Sequence, residues 1–99
     1  MTADGTLRTA IEARPDDVKA MDALAAHYFE RQRFRESADW AREAVEATPD
    51  DGRRWLKLGH AEYKLFRFAK ALEAYTKAHE LGDPFAKQHL DLVESKLSL

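Results

Sequence analysis

The chain has no cysteine, no asparagine, three prolines and four glycines in 99 residues. No apolar run approaches the 18 residues or so that a membrane span requires. Without cysteine there is no disulfide framework and no thiol chemistry, which suits a reducing compartment and makes a cytoplasmic location the expectation. No signal-peptide core follows Met1, and membrane insertion is not expected. Gly5, Gly52, Gly59 and Gly82 stand apart, so no glycine-rich loop can cradle a phosphate. A strong excess of either charge is also missing: 16 Lys/Arg against 18 Asp/Glu leave a net charge of −2, which argues against general nucleic-acid binding. His27, His60, His79 and His89 fall in four separate segments, with no His-Glu-x-x-His and no pair at metal-ligand spacing. His27 and His79 each neighbour a core position and read as partly buried structural residues. No nucleophile, base and oxyanion donor can be grouped. The chain is expected to be no enzyme and to need no cofactor or metal.

What is present is repetition. Pro15-Asp16-Asp17 recurs 34 residues later as Pro49-Asp50-Asp51. At that offset Leu24 meets Leu58, Phe29 meets Tyr63, Arg33-Phe34 meets Arg67-Phe68, Ala44 meets Ala78 and Glu46 meets Glu80. Within each unit apolar residues recur at helical spacing in two blocks separated by a short break. Met21, Leu24, Ala25 and Tyr28 form the first block, with Phe29 beside them; Phe34, Ala38, Ala41, Ala44 and Val45 form the second. Trp55, Leu58, Gly59 and Tyr63, then Phe68, Ala71, Leu72, Tyr75, Ala78 and Leu81, repeat the plan. Each unit is therefore helix, turn, helix. With 44% hydrophobic and 34% charged residues, the whole chain, residues 1–99, suits one soluble domain.

Those residues resemble the tetratricopeptide repeat, whose unit is 34 residues long and sets Trp, Leu, Gly and Tyr on its first helix, then Ala, an aromatic, Ala and Pro on its second. Trp55, Leu58, Gly59, Ala71, Tyr75 and Ala78 match it best, with Pro84 one residue late; in the first unit Leu24, Tyr28, Ala44 and Pro49 agree, while Met21, Ala25, Ser37 and Ala41 replace the usual residues. The resemblance implies an all-α, right-handed solenoid of helical hairpins with about six helices. Its parts are a preceding helix at 6–14, one repeat over 18–51, a second over 52–83 and a capping helix over 84–98. The first part looks like a second helix without its first, as in a piece of a longer repeat protein. In the last, Asp83 is the expected N-cap and Pro84 the first helical residue. Glu94 stands where a following helix would need a small residue, as befits an end cap.

The resemblance also implies where a partner would bind, because first helices line the concave side of such folds. It places Lys19, Asp22, Ala23, Ala26 and Glu30 beside Arg53, Leu56, Lys57, His60 and Lys64. The spacing of Arg53, Lys57, His60 and Lys64 by four, three and four puts them in one basic stripe. Ala23 and Ala26 would leave a recess beside it. A solvated polar face would produce the same stripe. The expected function is a scaffold or adaptor that binds a protein or peptide segment, an acidic one if the stripe is used. The lysine and asparagine clamp that some relatives use on a chain-terminal carboxylate cannot be carried over, since asparagine is absent. Residues 1–51 carry 7 Lys/Arg and 12 Asp/Glu, giving −5, and residues 52–99 carry 9 and 6, giving +3. Head-to-tail self-association of the two halves is therefore the alternative. Phe66, in a turn, and Trp40, off its helix's apolar stripe, are both expected to fold back onto a neighbouring helix.

Overall fold

A computed structural model describes residues 17–98, and the helix expected over 6–14 lies outside them. The described residues form five helices and no strand: α1 (Val18–Glu30), α2 (Phe34–Ala47), α3 (Gly52–Lys64), α4 (Phe68–Glu80) and α5 (Ala86–Leu97). The repeated aspartates explain two of the starts. Asp17 Oδ1 accepts from the Ala20 N–H and Asp51 Oδ1 from the Arg54 N–H, each at 3.2 Å, so donors without an intrahelical partner are satisfied at α1 and α3.

The helix ends are equally regular. The Arg33 N–H reaches back to the Tyr28 carbonyl at 2.9 Å, Arg67 to Glu62 at 3.0 Å and Asp83 to Ala78 at 3.0 Å, each closing a left-handed cap. The residues at the left-handed position are Gln32 (φ 62°), Phe66 (φ 60°) and Gly82 (φ 88°). Only the last has the residue type that this conformation favours. The start of α5 differs from expectation. Asp83 Oδ1 accepts from the Phe85 N–H at 2.9 Å, which holds Pro84 and Phe85 in a turn, and the helix begins at Ala86.

Each helix packs on its neighbour in the chain, as a solenoid requires. Ala25, Ala38, Ala41, Val45, Leu58 and Ala61 form the central core, with clusters around Leu24 and Tyr28 on one side and around Tyr75, Leu90 and Val93 on the other. Small residues set the approach. A Cβ at Gly59 would come within 2.6 Å of the Tyr75 ring, so α3 and α4 meet with no room for a side chain there. Trp55 is only partly buried; its indole N–H donates to the Pro49 carbonyl at 2.8 Å while its ring bridges two of the clusters. Glu62 is fully buried, and its carboxylate takes Arg42 of α2 at 2.9 Å and Arg67 of the following turn at 3.3 Å. Trp40 packs against the core as expected. Phe66 does not: it is 79% exposed and meets only the edge of Phe68 among the described rings. His79 is exposed rather than partly buried.

Candidate functional site

Two recesses lie side by side along the first-of-pair helices. The first, about 190 Å³, is floored by Ala25, Ser37 and Ala41, walled by Ala26 and Phe29, and rimmed by Glu30, Lys57 and His60. The second, about 230 Å³, lies among Phe29, His60, Tyr63, Lys64, Tyr75, His89 and Leu92. Phe29 and His60 belong to both, so the two form one groove bounded by α1, α3 and α5. The pairs Phe29–Phe34 and Tyr63–Phe68, with ring centroids 5.1 and 5.4 Å apart, repeat at the 34-residue offset and hold each groove aromatic against the start of the second helix in its hairpin.

Of the ten residues placed on this surface by the sequence, Ala26, Glu30, Lys57 and His60 line the first recess and Lys64 the second. Lys19 and Ala23 are exposed on α1 but line neither recess. Asp22 is engaged by the Arg54 guanidinium, which donates through Nε to both carboxylate oxygens at 3.0 and 2.9 Å. Leu56 is a correction: only 5% exposed, it packs with Ala71, Ala86 and Leu90 and does not face the groove. Arg53 is exposed but lines neither recess; its Nε donates to the Asp83 carboxylate at 3.1 Å and its guanidinium lies over the Phe85 ring. Phe29, Tyr63, Tyr75, His89 and Leu92 complete the groove and were absent from the expected set. The match of Phe29 with Tyr63 across the repeat was the available signal for the first two.

His60, shared by the two recesses, sits at the centre of the groove. His60 Nδ1 lies 2.7 Å from the Tyr75 hydroxyl, and the His60 ring meets His89 edge-on at 4.6 Å. Burial, then the neighbouring His89, depresses His60 from its ordinary value near 6.5 to about 4; Asp83 pulls the other way, and Lys64 adds the smallest push down. Burial pushes the Tyr75 phenol up, and His89 stacks on its ring at 5.4 Å. Lys57 and Lys64 are thus the cations of the stripe that line the groove. Lys64 Nζ lies 6.0 Å above the Phe34 ring, and neither lysine joins an ion pair among the described residues. Among those residues no three His, Cys, Asp or Glu side chains group as metal ligands, and no helix is long and apolar enough to cross a membrane. The arrangement offers a surface for binding.

No family sequence model matches the chain, and no curated protein sequence matches it. Solved structures do. A crystal structure of MamA is 18% identical over 92% of this chain and 54% of its own, with a TM-score of 0.86. The first tetratricopeptide domain of Spaghetti (RPAP3), bound to the HSP90 peptide SRMEEVD, is 20% identical over 94% of this chain and 75% of its own, also at 0.86. The Sgt2 tetratricopeptide domain from Aspergillus fumigatus is 24% identical over 92% and 63%, at 0.82. The chain spans about half the length of the MamA structures it matches. Its fold is the tetratricopeptide helical-hairpin solenoid.

Proposed function

We propose that the chain is a protein-interaction module whose groove between α1, α3 and α5 holds a short segment of a partner protein. The observation that carries this is the continuity of the two recesses through Phe29 and His60, with Lys57 and Lys64 beside them. Apolar walls supply burial and the lysines supply charge-assisted contacts, so a segment bearing Asp or Glu is the expected ligand. The RPAP3 domain, alike in fold, holds a peptide with two glutamates and an aspartate, which supports the reading. Head-to-tail self-association has less support. The exposed residues of α5 include Lys87, Gln88, Asp91 and Glu94 beside Leu92 and Leu97, and Lys87 is already paired with Asp91 at 2.7 Å within the same helix, which leaves one fewer free cation to meet an acidic half.

Selection of a random peptide library on the immobilised protein tests the proposal. Acidic peptides should be enriched, and their affinity should fall with salt because exposed charges are screened beyond about 8–10 Å. Lys57→Glu with Lys64→Glu should lose those peptides while helicity and melting temperature stay unchanged, since both side chains are exposed. Equal binding by the double variant would move the interface elsewhere.

A further inference from the structure

We propose that the groove recognises an internal, extended segment in which one large apolar side chain is flanked, two residues away on each side, by Asp or Glu; this rests on the peptide-binding reading above. The two lysines without ion-pair partners among the described residues fix the ends. Lys57 and Lys64 are seven residues apart on α3, two turns or about 10.5 Å of helix axis. The basic side chains at the other two positions of the stripe already have partners and neither lines a recess with Lys57 or Lys64 as a free cation, Arg53 being bonded through Nε to Asp83 and His60 to Tyr75.

Between the lysines the surface is suited to carbon. Ala25, Ala26, Ala41 and the Phe29 ring line an open recess of about 190 Å³ beside Lys57, with Ser37 in its floor and Glu30 and His60 on its rim, and an apolar cavity of about 150 Å³ is large enough for benzene. One leucine, methionine or phenylalanine side chain fits such a space. A carboxylate placed over the His60–Tyr75 pair would lie a turn from either lysine rather than against one, so acids belong at the ends and the apolar group in the middle. In extended backbone, alternate residues share one side about 6.6 Å apart, so an acid, apolar, acid set on one side spans about 13 Å. That is within reach of two long lysine side chains rooted about 10.5 Å apart. A free chain terminus would need donors converging on a single point, whereas these lysines are two turns apart.

Fluorescence anisotropy with three labelled peptides tests this. The first, blocked at both ends, reads glutamate, serine, leucine, serine, glutamate within a serine and glycine context. The second replaces leucine by alanine. The third keeps the alanine and ends on a free carboxylate. The leucine peptide should bind roughly tenfold or more tightly than the alanine peptide, as expected for burying one aliphatic side chain. Ala26→Trp, a change at an exposed helical position that fills the recess, should abolish that difference without altering helicity. Equal binding of the leucine and alanine peptides to the unaltered protein would overturn the apolar anchor and leave a groove that reads charge alone. Preference for the free-carboxylate peptide would overturn the internal-segment assignment. If no acidic peptide bound at all, the peptide-binding reading itself would fall.

Discussion

Gly59 and His60, adjacent on α3, do opposite jobs with respect to Tyr75. The first lets the Tyr75 ring lie against the α3 backbone, and the second bonds its hydroxyl. Gly59→Ala should gain about 1 kcal/mol of helix propensity but lose about 1–3 kcal/mol to overpacking. The ring, tethered at one end by His60 and stacked on His89, has little freedom to move aside. A net drop in melting temperature is expected; an unchanged or higher value would show that Tyr75 relocates easily. His60 also makes stability depend on pH. Its folded value of about 4 lies below the ordinary 6.5, so between these values the unfolded chain binds a proton that the folded chain refuses. Stability from this group is complete above about pH 6.5 and falls as the pH drops through 4. The ceiling is about 1.4 kcal/mol per pH unit, reduced in practice because the ring is only partly buried. Between pH 7 and pH 5 the protein should lose more melting temperature than His60→Gln. Parallel slopes would remove His60 as the cause.

At the scale of elements, the turns within the two hairpins share one geometry with different residues. Gln32 and Phe66 both adopt positive φ, a conformation that disfavours side chains by roughly 1 kcal/mol or more relative to glycine. Phe66 offsets little of that cost, being 79% exposed with one edge contact to Phe68 at 6.1 Å. Phe66→Gly should therefore raise the melting temperature by a few degrees in thermal unfolding. A decrease would mean that the Phe66 ring stabilises the turn more than its exposure indicates. The helices themselves were legible in the sequence, because apolar periodicity and the 34-residue recurrence of Pro-Asp-Asp are local signals. The groove was legible only in part. Spacing identified the shared face of Arg53, Lys57, His60 and Lys64, but the partners that engage two of them, Asp83 and Tyr75, lie 30 and 15 residues away. Leu56 was misplaced for the same reason: its burial depends on Ala86 and Leu90 of α5, which no pattern within α3 reveals. Phe66 was misjudged because its exposure follows from turn geometry, not from side-chain preference.

At the scale of the molecule, the five helices of the described residues stack so that α1, α3 and α5 bound a groove with Lys57 and Lys64 along it. A shallower recess along α4, between Trp55 and residues such as Leu72, Thr76 and Lys77, is the competing surface. Amide chemical-shift mapping during titration of isotope-labelled protein with an acidic peptide distinguishes them most directly. The largest shifts are expected at Ala26, Phe29, Lys57, His60 and Lys64, with Thr76 and Lys77 unmoved; shifts concentrated on Trp55, Leu72, Thr76 and Lys77, with the groove residues silent, would contradict the assignment of the groove as the binding surface.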